Sequence, residues 1–251
     1  MRDHGCHVNR FLRILSTALI TAGLVVAADV GLTLAWKEPL SSLYGKVKQN
    51  QAEDELVKLE QEFPTAADLN AVASAGDLEE RVAGLADRFE DRVVKGEGIG
   101  RLTMPAMDLD RATVVEGTDT ASLRSGPGHY TASDDPETQE QGDGSAFPGQ
   151  GETVGIAGHR TTYGAWFNKM DEVEPGDEIT LEMPYATFTY QVQKVDIVDP
   201  TEIGVVRNVG YERLVLSACH PLYSAAQRII TFAKLKEINL FGSGERIWQD
   251  P

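Results

Sequence analysis

In Ala186-Thr-Phe-Thr-Tyr-Gln-Val-Gln-Lys-Val-Asp-Ile-Val198, the apolar residues Phe188, Tyr190 and Val192 alternate with polar ones. That period of two is the mark of a strand with one buried face. Val195 and Ile197 resume the alternation out of phase, so a β-bulge at Gln193-Lys194 is expected to absorb the slip. Outward from this strand, Met183-Pro-Tyr-Ala186 reads as a tight turn back to a strand at Glu178–Met183. Further strands are expected at Ile99–Met104, Ala112–Glu116, Thr153–Ala157, Arg213–Ser217 and Arg228–Leu235, set off by Gly, Pro and Asp. Strands at this density, with almost no helical pattern, predict a mostly β domain: a closed or nearly closed barrel. Gly96-Glu-Gly-Ile-Gly100 marks its start. Ser133 to Gln150 is polar, acidic and Gly-rich, an exposed and mobile loop by composition.

Upstream the period becomes helical. Leu56, Leu59 and Phe63 sit at helical spacing before Pro64, and Leu78, Val82, Leu85, Phe89 and Val93 follow at intervals of three and four. Asp77 with Glu80 resembles a capping box at the start of the second stripe. One apolar stripe on charged helices describes a stalk that packs on itself, on the β domain or on a second copy. Earlier still, Ile14 to Ala28 is almost wholly apolar, and Val30 to Trp36 continues after the single charge of Asp29. A bilayer takes about 20 apolar residues to cross. Arg2, Arg10 and Arg13 precede the run, which places the N-terminus in the cytoplasm and the rest outside; a cleaved signal peptide is the competing reading. The expected divisions are a cytoplasmic tail over 1–13, a transmembrane helix over 14–36, a helical stalk over 37–97, the β domain over 98–240 and a tail over 241–251.

The formal net charge is −16. The acidity lies beyond the span, and it argues against nucleic acid as a partner of the exported part. Of the two cysteines, Cys6 lies inside and Cys219 outside by this topology, so they cannot pair. A single extracellular thiol is either reactive or awaiting an intermolecular partner.

Cys219 follows the strand Leu214-Val-Leu-Ser-Ala218, whose end delivers the thiol into a loop, and Pro221 stops the ladder. His159 ends the strand Thr153-Val-Gly-Ile-Ala-Gly158, and Arg228 opens the strand after the Cys loop. Adjacent strands would bring Arg228 beside Cys219. Thiolate, imidazole and guanidinium are the parts of an acyl-transfer site: nucleophile, proton carrier and oxyanion holder. His220 neighbours Cys219 in sequence, but successive residues of an extended chain face opposite sides. His129, in Gly126-Pro-Gly-His-Tyr130, reads as structural or as lining the site. No cofactor and no metal are expected, since no His/Cys/Asp cluster has ligand spacing, nor do the loop acids have that of a Ca²⁺ site.

Gly158-His159-Arg160-Thr-Thr-Tyr-Gly164, Leu216-Ser-Ala-Cys219-His-Pro221 and Arg228 resemble the His, Cys and Arg signatures of the sortases, cysteine transpeptidases of Gram-positive envelopes. Gly98-Ile-Gly-Arg-Leu-Thr-Met-Pro105, Glu116-Gly-Thr118 and Leu123-Arg-Ser-Gly-Pro-Gly-His129 add to the likeness, which covers residues 98 to 236. The Tyr163-containing His motif is most similar to class E, the actinobacterial housekeeping type. Ser217-Ala218 departs from the common pattern, which has threonines before the Cys. The resemblance implies an eight-stranded barrel and a Leu-Pro-x-Thr-Gly or Leu-Ala-x-Thr-Gly sorting signal, carried by surface proteins and cut between Thr and Gly. It implies Cys219, His159 and Arg228 as catalytic, and Tyr163, Ser217 and Ala218 as substrate-binding. The acceptor would be an amine of a peptidoglycan precursor or a pilin lysine. Competing readings are a Cys/His peptidase or peptidoglycan hydrolase outside the membrane, and a tethered non-enzymatic thiol module.

Overall fold

Residues 4–36, 39–131, 145–241 and 246–248 are described by the computed structural model, which divides into two units, Met1–Leu40 and Ser41–Pro251. The first is built on one helix, α1 (His4–Trp36), which starts well before the expected span. Within it Arg10–Ala28, 19 residues of mean hydropathy 2.0, is long and apolar enough to cross a membrane. The Cys6 and Asp29 side chains lie outside the described residues.

In the second unit three helices precede the barrel. They are α2 (Pro39–Glu62), followed here from Ser41, α3 (Ala66–Val72) and α4 (Leu78–Glu90). Thr65 and Asp68 form a full capping box on α3. At α4 only half of the expected box forms. Asp77 accepts from Glu80 N at 2.8 Å, while the Glu80 carboxylate accepts from Gly76 N at 2.7 Å instead of reaching the cap.

The strands are β1 (Gly98–Met104), β2 (Leu109–Glu116), β3 (Gly128–His129), β4 (Thr153–Ala157), β5 (Glu178–Glu182), β6 (Ala186–Val198), β7 (Arg213–His220), β8 (Gln227–Leu240) and β9 (Arg246–Trp248), with a short helix α5 (Thr120–Leu123) between β2 and β3. Their order is β6-β5-β1-β2-β3-β4-β7-β8-β9, and β6 also pairs β8. That last pairing closes eight strands into a barrel, and β9 extends β8 beyond the closure through Glu237–Asn239. Closure leaves the eight strands no open edge. The β2/β3 and β4/β7 pairs are parallel. The register of β6 on β8 shifts between Val192 and Lys194, so the bulge stands where the phase of the alternation slips. β3 and β9 escaped the sequence reading because two or three residues cannot display a period. The loop expected over Ser133–Gln150 lies outside the described residues as far as 144.

Of the three partners open to the apolar stripe, the structure shows the β domain itself. Phe63, Val82, Leu85 and Phe89 belong to the same buried cluster as Leu102, Tyr185 and Phe188 of the barrel. The Phe89 ring lies 5.4 Å from both Phe63 and Tyr185. α2 is clamped by polar groups as well. Gln49 Nε2 donates to the carbonyls of Thr113 (2.9 Å) and Ser125 (2.8 Å), and its Oε1 accepts from Thr113 N at 2.9 Å. Buried Arg101 of β1 is held between Glu53 and Glu60 of α2. A Cβ on Gly98 would lie 2.2 Å from Ala52 O, so the helix backbone approaches β1 as closely as only glycine permits.

Candidate active site

Alternation along β7 sorts its side chains. Leu214, Leu216 and Ala218 pack in the barrel core, while Val215 packs on the opposite face with Ile230 and Phe232. Ser217 and Cys219 share the parity of Val215 and so face outward. The strand does not end before the thiol, as the sequence suggested. It runs on to His220, and Cys219 is itself a ladder residue whose Cα partner across β8 is Arg228. Directly opposed residues of an antiparallel pair present their side chains on one face, roughly 4.5–5.5 Å apart at Cβ. Strand register thus places the Arg228 backbone directly across from that of Cys219. Cys219 is a free, half-buried thiol. Arg228 Nη1 donates to the carbonyls of Ala225 (3.1 Å) and Gln227 (3.0 Å), which orients the guanidinium on the turn.

His159 arrives from the other side of β7. The parallel β4/β7 ladder pairs Ala157 with Ser217, and Gly158 N donates to Ser217 O at 3.0 Å. The chain leaves the sheet at the level of the thiol. A Cβ on Gly158 would stand 2.6 Å from the Phe167 ring, so this exit requires glycine. The loop then folds back on itself. His159 O accepts from Phe167 N at 3.1 Å, Asn168 Nδ2 donates to Arg160 O at 2.7 Å, and buried Arg160 donates to Asp171 at 2.6 Å and to Asn168 O at 3.1 Å.

The His159 imidazole is held below the ordinary histidine range, by burial first and by the positive field of Arg124 second. Its Nε2 is buried without a hydrogen-bond partner. A buried nitrogen in that condition is costly unless a reacting group completes it. Tyr163 stacks beside the ring at 5.5 Å, and the Arg124 guanidinium lies 5.4 Å over Tyr163.

The remaining candidates separate clearly. Ser217 Oγ shares a 2.7 Å hydrogen bond with the Tyr130 hydroxyl. Ala218 is a correction: its side chain packs in the barrel core, on the face of β7 opposite the one that carries Cys219. His220 points the other way from Cys219, with Nδ1 accepting from Arg160 Nη1 at 3.3 Å. His129 is buried between the Glu116 carboxylate at 3.0 Å and Ala146 O at 3.0 Å. Burial pushes its pKa down, but the Glu116 carboxylate beside it prevails and raises it. That makes it a brace between β2 and the segment before β4.

Sequence reasoning passed over Tyr130 and Arg124. The Tyr130 phenol titrates above its usual range, mainly through burial, and feels both Arg228 and Cys219. Nothing but its place after His129 marked it. A cavity of about 610 Å³ walled by Asp87, Glu90, Glu116 and Glu152 also borders Tyr130. Among the described residues no group of three or more His, Cys, Asp or Glu side chains could hold a metal ion.

A sortase-domain family model matches residues 102–236. Sortase D of Bacillus subtilis (strain 168) is 30% identical over 143 residues, covering 55% of this chain and 64% of that protein. Sortase SrtE2 of Streptomyces coelicolor is 27% identical over 240 residues, covering 88% of this chain and 81% of that one. Among solved structures, a Clostridium perfringens sortase D5 transpeptidase superposes with a TM-score of 0.55 at 18% identity, over 74% of this chain and 98% of that one. Sortase E1 from Streptomyces coelicolor with a tripeptide in the active site gives 0.53 at 24%, over 61% and 96%. At these identities the structural likeness speaks for the barrel.

Proposed function

The chain belongs to the sortase family, and from that premise we propose that it is a membrane-anchored cysteine transpeptidase with Cys219, His159 and Arg228 as its catalytic residues. Its donor is a surface protein ending in an LPxTG- or LAxTG-like signal, cut between Thr and Gly. The Cys219 thiolate attacks the Thr carbonyl carbon, and the charge that develops on oxygen falls beside the Arg228 guanidinium. The C–N bond to Gly breaks as its nitrogen takes a proton from the His159 imidazolium. A peptide amine leaves and a thioester stays on Cys219. An amine of a peptidoglycan precursor or pilin then attacks the thioester, returns a proton to His159 and expels the thiolate. One amide is exchanged for another, so no external energy source is required.

Tyr163 and Ser217 border the donor. α1 holds the catalytic domain on the outer face of the membrane, with the N-terminus in the cytoplasm. The observation that carries this reading is the Cys219–Arg228 cross-strand pair, with a histidine whose buried Nε2 lacks a partner leaving the adjacent strand.

The test uses the full chain in detergent, wild type beside Cys219→Ala, with both signal peptides, an amine and mass spectrometry. Cleavage between Thr and Gly through a Cys219-linked acyl group, absent from the variant, is expected. A folded protein whose Cys219 alkylates yet cuts neither peptide would return the site to a Cys/His hydrolase or thiol module.

A further inference from the structure

One wall of this site comes from α2, which no catalytic motif reaches. The Tyr44 ring stands edge-on to Tyr163 with centroids 6.1 Å apart at 66°, and Tyr163 in turn lies against the His159 ring at 5.5 Å. Beside it, Gly45 meets the backbone of the same loop. A Cβ there would fall 2.6 Å from Tyr163 C, 2.7 Å from Tyr163 O and 3.1 Å from Gly164 N. These are backbone atoms that cannot swing aside. Tyr163 holds φ at +48°, a left-handed conformation that a tyrosine keeps only where its surroundings impose it.

The helix making these contacts is a fixed surface, tied to β2 through Gln49 and to β1 through the Arg101 ion pairs. The histidine, by contrast, has no hydrogen bond at Nε2 to set its ring. Packing must supply the orientation, and the packing is the series Tyr44, Tyr163, His159.

We propose that Tyr44 and Gly45 are positioning residues of the catalytic site: the helix that follows the candidate span forms a wall that seats Tyr163 and, through it, the His159 imidazole. The inference rests on His159 being the proton carrier, as read above. It makes the segment next to the membrane part of the active site, so a change in how α2 sits on the barrel alters proton transfer without touching the thiol. Tyr44 is 45% exposed, so truncating it removes the wall at little cost to the fold.

The experiment compares full-length wild type with Tyr44→Phe, Tyr44→Ala and Gly45→Ala. Rates are normalised to the Cys219 thiol titrated in each sample, and the His159 imidazole is titrated separately by NMR. Tyr44→Phe keeps the ring and should stay within about twofold of wild type. Tyr44→Ala should lose about tenfold in kcat with the donor KM within about twofold, since the loss is one of orientation. Its imidazole should titrate higher than in wild type, because water enters where the wall was. Gly45→Ala should lose more than Tyr44→Ala. The inference is overturned if Tyr44→Ala matches wild type in kcat and in the His159 titration, or if Tyr44→Phe is as damaged as Tyr44→Ala. A loss explained wholly by the fraction of folded protein would overturn it too. Should wild type cut no sorting peptide, the functional reading fails, and the His159 titration in Tyr44→Ala still decides the positioning.

Discussion

Glu212 shows how strongly a single buried carboxyl can colour the behaviour of this domain. It is 6% exposed and accepts from the Tyr190 hydroxyl at 2.7 Å and from Gly149 N and Gly151 N at 2.9 and 3.1 Å. Burial outweighs those bonds and raises its pKa from 4.5 to about 7. The fold therefore prefers the neutral acid, and the sign follows. The stability it contributes is complete below the unfolded value near 4.5 and is lost as pH rises through about 7. The shift corresponds to something on the order of 3 kcal/mol. Denaturant unfolding at pH 5 and pH 8.5 should show Glu212→Gln losing less stability over that interval than wild type; an identical pH dependence would refute the assignment. At His159 the field of Arg124 is the second cause of the lowered pKa. Arg124→Gln should raise the His159 titration, read by NMR. Arg228→Ala should leave Cys219 open to alkylation while kcat/KM for a sorting peptide falls by about 10²–10³-fold, the usual cost of removing an oxyanion donor.

Among the elements, the helices before the barrel need the most revision from a sequence view. Their stripe was legible, yet an apolar stripe looks the same whether it faces a second helix, a second copy or a sheet. The structure has it buried on the barrel, with Leu56, Val82, Leu85 and Phe89 all at 0% exposure. Each is worth about 1.5–3 kcal/mol on burial, so together they rival the whole stability of an ordinary domain, about 5–15 kcal/mol. A fragment starting at Glu97 is expected to aggregate or to lose its near-UV circular dichroism, whereas one starting at Ser41 should unfold cooperatively. Equal melting temperatures for the two would show that α2–α4 add nothing to the core. The strands fared differently. β4 and β6 match their expected bounds end to end, and β7 overran its expected end because cross-strand pairing to β8 continues through Cys219 and His220.

For the molecule as a whole, the net charge of −16 and the apolar helix α1 pull in different directions, one toward water and one toward lipid. The proposed topology separates the two cysteines across the bilayer. A membrane-impermeant maleimide applied to intact cells should label Cys219, whereas Cys6 should react only after permeabilisation. Equal labelling of both from outside would reverse the orientation. Deleting Arg10–Ala28 should move the protein to the soluble fraction.

Local chemistry was enough to read the strand alternation, the bulge in β6, the apolar run within α1 and the residue types of the candidate site. These depend on neighbours within a few positions, which one chain displays directly. Which residues meet was decided by closure of the barrel. Register set Cys219 opposite Arg228, parity turned Ala218 inward, and the packing of α2 brought Tyr44 to Tyr163 beside His159. Cys219 and Arg228 lie only nine residues apart on neighbouring strands, whereas Tyr44 and Tyr163 are more than a hundred residues apart. The energy of that long-range contact comes from burial that exists only once the chain has folded, so no local pattern carries its signature, while the pairing of neighbouring strands was open to sequence reading.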